Sequence, residues 1–129
     1  EIIFAIVETS ELHRMVGSLA IYDINNEEHT AEIGKIQIGD KEAHGRGIGR
    51  KALVMAMKAG FQKLGIKKFV GAVHQENIPA RTNDQKIGFR FVGEQPFAAG
   101  GKEDLLEAVE EDISKANSYY PDITLTEEE

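Results

Sequence analysis

The chain has 129 residues, of which 41% are hydrophobic and 29% charged, with no cysteine and a formal net charge of -7. This is ordinary globular composition and enough chain for a single core, with no disulfide framework and no cysteine nucleophile. The acidic balance argues against a nucleic-acid partner, since such binding is dominated by phosphate neutralisation.

No apolar run approaches the ~18 residues of a membrane span, and no basic segment with a cleavage site opens the chain. A cytoplasmic protein with no membrane partner is expected. Ile2 to Val7 is an apolar run of strand-favouring residues, and Met15 to Tyr22 is a second. Turn-forming residues lie between them and again at Asp23 to Glu28. Thr30 to Ile38 alternates in part, with Lys35 and Gln37 on one side and Ile36 and Ile38 on the other. Three strands joined by short turns predict an antiparallel meander.

From Gly47 to Leu64 the period becomes helical. Ile48, Ala52, Leu53, Ala56, Met57 and Phe61 form an apolar stripe, and Gly65 is placed to stop the helix. Lys67 to Val73 reads as a strand, Pro79 to Ile87 as a second helix with Pro in its first turn, and Phe89 to Glu94 as a further strand. A strand near residues 103–109 and a short helix from Glu110 to Asn117 are expected, leaving residues 118–129 as a solvated acidic tail. The domain is thus drawn at residues 1–117.

The most informative stretch lies between the meander and the first helix. Residues 43–53 read Ala-His-Gly-Arg-Gly-Ile-Gly-Arg-Lys-Ala-Leu. Glycines at 45, 47 and 49 allow a tight turn and a close approach to a ligand. The unpaired amides of the following helix then offer an anion site. A Rossmann turn needs G-x-G-x-x-G and an acidic residue about 20 positions on, whereas position 69 here is Phe. A P-loop needs G-x-x-x-x-G-K-[ST], which is absent.

The string from His44 to Gly49 resembles Gln/Arg-x-x-Gly-x-Gly/Ala, the pyrophosphate loop of the GNAT superfamily of acyl-CoA-dependent N-acyltransferases. His44 stands where that family usually carries Gln or Arg. A second stretch is similar to the GNAT signature Asn-x-x-Ala/Ser-x-x-x-x-x-Lys-x-Gly-Phe, with Asn77, Ala80, Lys86, Gly88 and Phe89 on its defined positions. Two motifs in the right order are far more specific than either alone. The likeness runs from Ile2 to Val109. It is nearest the branch of ribosomal-protein N-terminal, polyamine and antibiotic acetyltransferases.

This resemblance implies an α+β fold, with a mostly antiparallel sheet that splays into a V and is flanked by helices. The family's opening strand and two helices lack counterparts here, so an N-terminally incomplete domain is expected. It also implies direct acetyl transfer from acetyl-CoA to a primary amine, on a small molecule or a protein N-terminus, without a metal. A homodimer is compatible with it. The alternative is a non-catalytic CoA-binding or regulatory module.

By the same resemblance, backbone groups of Ile36, Gln37 and Ile38 pair with the pantetheine arm. Residues His44, Gly45, Arg46, Gly47, Ile48, Gly49 and Arg50 hold the pyrophosphate, with Asn77 and Lys86 contributing from the second motif. An attacking amine must be neutral, although alkylamines titrate near Lys, at ~10.4, so a general base is needed. Glu32 is the first candidate, followed by His74, with His44 as a further alternative and Asn77 holding a water or the pantetheine. Many relatives carry a Tyr in the second helix to protonate the departing thiolate. Asp84 stands in that string, a poor acid at neutral pH unless buried.

Overall fold

The computed structural model describes residues 1–113 and 123–128. The chain forms β1 (Ile2–Glu8), β2 (Arg14–Asn25) and β3 (Thr30–Ile38), then α1 (Ile48–Lys63) and β4 (Lys68–His74). There follow α2 (Ile78–Ile87), β5 (Arg90–Pro96), β6 (Lys102–Ala108), α3 (Glu110–Ile113) and β7 (Ile123–Glu127). The strands make one sheet in the order β5-β6-β4-β3-β2-β1-β7.

The expected meander is present, with β1–β2 and β2–β3 antiparallel. Strand β1 turns Phe4, Ile6 and Glu8 inward at every second residue. Helix α1 buries Ile48, Ala52, Leu53, Ala56 and Met57 of the predicted stripe, together with Val54 and Gly60, while Phe61 is half-buried. At Gly60 an added Cβ would lie 2.7 Å from the Phe69 ring. This close approach seats α1 on β4, and Phe61 meets the same ring edge-on at 5.2 Å between centroids. Gly65, with φ +72°, follows the helix in the left-handed region that its stop requires.

Two differences from the sequence reading stand at the C-terminal end. Residues 123–127, expected in a solvated tail, form β7 and pair antiparallel with β1 from Phe4↔Glu127 to Glu8↔Ile123. The reason is legible afterwards: Ile123 and Leu125 alternate with threonines, and Ile123 is buried. Of the helix expected over residues 110–117, Glu110–Ile113 is seen; the rest lies outside the described residues.

Candidate active site

The site begins where two strands part. Strand β3 runs parallel to β4 and pairs with it at only two positions, Thr30↔Lys68 and Ala31↔Phe69. Beyond Ala31 the strands diverge, since β3 continues along β2 while β4 continues along β6. Among the described residues, the edge of β3 from Glu32 onward thus lacks a neighbouring strand on the β4 side. This is the V-shaped splay that the fold reading anticipated.

A bulge shapes that free edge. Ser18 pairs with Gln37 and Ala20 with Gly34, so Lys35 and Ile36 together oppose Leu19. Lys35 takes up the extra residue at φ +51°. As a result Ile33 and Ile36, three residues apart, both line one cavity of about 210 Å³. Its other walls are Leu53 and Met57 of α1 and Ala80, Asn83, Asp84 and Ile87 of α2, with Gly34 and Phe89.

At one end of β3 lies the glycine loop. Gly45 and Gly47 have φ of +75° and +72°, and Gly47 is the N-cap of α1 with no side-chain cap. No acidic residue occupies the helix's first turn. The amides of Gly45, Arg46, Gly47, Ile48 and Gly49 donate to no acceptor among the described residues. A Cβ at Gly45 would meet nothing within 4 Å, so the loop faces open space. A Cβ at Gly49 would lie 3.2 Å from Ile36 Cδ1, so that glycine brings α1 close to β3.

The side chains of the loop are tied to the scaffold. The His44 ring hydrogen-bonds the Ile38 carbonyl oxygen, joining the loop to the end of β3. Arg46 pairs with Glu11, and Arg50 Nε donates to Asn83 Oδ1 at 2.9 Å, linking α1 to α2 beside the cavity.

Glu32 is the first β3 residue past the last β3–β4 pair, facing Tyr22 across β2. Its carboxyl is pushed up to about 7, chiefly by burial, then by a hydrogen bond and charge repulsion from Asp23. Asp23 reaches it because φ +49° at that residue accompanies a second irregularity in the β2–β3 register. The Tyr22 hydroxyl oxygen lies 3.5 Å from where a Cβ on Gly34 would be. Glu32 therefore sits at the apex of the splay with a pKa suited to exchanging protons near neutrality.

The other sequence candidates are placed differently. His74 ends β4, where its Nδ1 accepts from the Glu76 amide at 3.2 Å and its Nε2 hydrogen-bonds the Gly100 carbonyl at 3.0 Å. Both ring nitrogens are thus used in tying β4 to the β5–β6 hairpin, and Phe97 packs edge-on at 5.2 Å. Asn77 is the N-cap of α2, accepting from the Ala80 amide at 3.3 Å. Lys86 is exposed in the last turn of α2, and Gln37 is exposed on β3. Gly88 ends α2 at φ +123°, with Asp112 O 2.5 Å from any added Cβ; the Gly-Phe of the second motif here carries a packing requirement.

Sequence reasoning left Asp84 conditional on burial, and the structure supplies that burial. Its carboxyl is pushed up to about 6 by desolvation alone. A signal existed: Ala80, Asp84 and Ile87 follow helical spacing, so Asp84 shares the stripe that faces β3.

An acetyltransferase (GNAT) domain model matches residues 1–90. The chain belongs to the GNAT family. It is 30% identical over 86 residues to an N-acetyltransferase 9-like protein of Nematostella vectensis, covering 66% of this chain and 43% of that one. It is 31% identical over 78 residues to the alpha/beta-tubulin-N-acetyltransferase 9 of Mus musculus, covering 60% and 32% respectively. The chain thus spans half or less of the length of these two curated relatives. Among solved structures, a spermidine/spermine N-acetyltransferase of Vibrio cholerae superposes with a TM-score of 0.71 at 21% identity, covering 90% of this chain and 70% of that one. That likeness shows that the splayed sheet is the GNAT fold.

Proposed function

We propose that this domain transfers the acetyl group of acetyl-CoA directly to a primary amine, on a small molecule or a protein N-terminus. The observation that carries the reading is the continuity of three features along β3. They are unpaired amides at the glycine loop, a strand edge without a partner, and a half-buried carboxyl at the splay apex.

The loop amides and the positive end of α1 suit a pyrophosphate. The free edge of β3 suits the amides of a pantetheine arm, which would add as a further strand does. Its Ile38 carbonyl is already engaged by His44, so pairing would fall on earlier residues of that edge. The cavity walled by Ile33, Ile36, Leu53 and Met57 suits the arm's apolar portion. Acetyl-CoA supplies the activated acyl group; the protein holds it, excludes water, and handles protons.

Glu32 is the base in this reading. With its pKa pushed up to about 7, it exchanges a proton near neutrality, and the ionised form accepts the amine's proton directly or through water. The two relatives named for tubulin and for spermidine illustrate a protein and a polyamine acceptor, and both serve as probes.

Calorimetric titration with acetyl-CoA, followed by a thiol-release assay with spermidine and with purified α/β-tubulin, tests the reading. Saturable binding and acceptor-dependent thiol release are expected. The absence of heat at millimolar acetyl-CoA overturns it. Binding without release to any of a wider amine panel reduces the domain to a CoA-binding module.

A further inference from the structure

The cavity beside β3 holds one group that the scheme above leaves unused. Among the described residues Asp84 is the only ionisable side chain lining it, and the surrounding walls are Ile33, Ile36, Leu53, Met57 and Ile87. The Asp84 side chain makes no hydrogen bond or ion pair with any described residue, and burial alone perturbs it. Other withdrawn carboxylates of this protein are satisfied. Asp104 accepts from Arg81 Nε and Gln75 Nε2, each at 2.9 Å, and Glu8 takes backbone amides. An unpartnered carboxyl in an apolar cavity is a cost to the fold, and such groups cluster at functional sites.

We propose that the Asp84 carboxyl donates the proton taken up by the thiolate that leaves during acetyl transfer. The inference rests on the acetyl-CoA reading above. The acceptor nitrogen bonds the acetyl carbonyl carbon, and the carbon–sulfur bond breaks with its electron pair going to sulfur. The Asp84 proton goes to that sulfur, while the amine's proton goes to Glu32. When the thiol leaves, Asp84 regains a proton from solvent and Glu32 releases one, so the cycle balances.

A thiol of pKa about 8.5 leaves water as a thiolate without help. In an apolar cavity the same anion is poorly solvated, and a neutral carboxyl beside it supplies the missing stabilisation. No charged side chain on the β3, α1 or α2 walls competes for that proton. Asn83, beside Asp84 on the cavity wall, accepts from Arg50 Nε at 2.9 Å. A ligand filling the cavity removes further water, which favours the protonated form of Asp84 still more.

The test compares wild type with Asp84→Asn, using acetyl-CoA with spermidine and with α/β-tubulin. Expected is a fall in kcat of at least tenfold, with CoA affinity within threefold of wild type, and loss of the alkaline decline in the wild-type pH profile. A readout independent of turnover is the carboxyl ¹³C resonance of Asp84 in the wild-type protein. Its titration is expected well above the ordinary ~3.9 for Asp, moving higher when CoA is added. Titration at the ordinary value, or Asp84→Asn retaining kcat within twofold of an active wild type, overturns this proposal and leaves the acetyl-CoA reading intact. A wild type that neither binds acetyl-CoA nor releases thiol overturns both. If the Asn variant does not fold, the ¹³C titration of wild type decides alone.

Discussion

In the proposed reading, the glycine loop and the carboxyl-bearing splay solve one problem, holding an anionic cosubstrate and moving protons beside it, by opposite means. The loop uses backbone: Gly45 and Gly47 in the left-handed region and a run of amides with no described acceptor. Its chemistry needs no tertiary partner, only permission to turn. The splay uses side chains whose properties arise from packing. Glu32 and Asp84 are ordinary carboxyls by sequence, and burial lifts them to about 7 and about 6. Binding is written locally; proton chemistry is written by the fold.

That contrast is broken most severely at Glu32. Glu32→Gln keeps the shape of the splay but removes the acceptor of the amine's proton, and kcat is expected to fall roughly 10²–10⁴-fold. Acetyl-CoA affinity, which lies with the loop, is expected to stay unchanged by calorimetry. In the Asp84→Asn background, where the proposed acid no longer titrates, residual activity is expected to rise as pH increases through about 7, where Glu32 ionises. Equal kcat in Glu32→Gln and wild type, or a flat Asp84→Asn profile between pH 6 and 8, removes Glu32 from the chemistry.

The reciprocal change is Gly47→Val. At φ +72° a β-branched residue is strained, and its side chain would stand where an anion approaches the amides. Acetyl-CoA affinity is expected to fall at least about 100-fold, about 2.8 kcal/mol at 1.4 kcal/mol per tenfold. Acetylation measured at saturating acetyl-CoA should suffer less than with Glu32→Gln. Undiminished affinity would detach the loop from the site.

How much was legible in the sequence follows the same divide. The loop, α1 with its stripe and Gly65 stop, and the meander were readable because periodicity and glycine requirements are local. The roles of His74 and Asn77 were not. Each has the residue type for chemistry, and each is engaged by a neighbour: the Gly100 carbonyl for one ring, the Ala80 amide for the other side chain. The Asp23 partner of Glu32 depends on an irregular β2–β3 register that no residue pattern announces. β7 was missed because five residues of alternating Ile-Thr-Leu-Thr sit beside an acidic end that dominates composition.

A third carboxyl sharpens the comparison by sign. Glu8 has no exposed surface, yet its oxygens accept from the amides of Ser10, Glu11 and Leu12 and from the Ser10 hydroxyl. Those bonds, led by the Glu11 amide, hold its pKa down to about 2. A depressed folded pKa stabilises the native state above the unfolded value, 4.5, and this contribution is lost as pH falls from there toward about 2. Glu32 and Asp84 act the other way: their neutral forms suit the fold, so their contribution is full at low pH and lost as pH rises through about 6 and about 7. From these three groups the melting temperature is therefore expected to be highest near pH 4.5 and to fall on either side. Glu8→Gln should lower Tm at pH 7 and converge on wild type as pH drops below 4.5. A Tm difference that stays constant down to pH 2.5 would show that shape, not charge, holds the β1–β2 turn. Glu8, satisfied by backbone amides, belongs to stability, whereas Glu32 and Asp84 are the carboxyls proposed for proton transfer, and the opposite slopes of their pH dependence separate the two in one measurement.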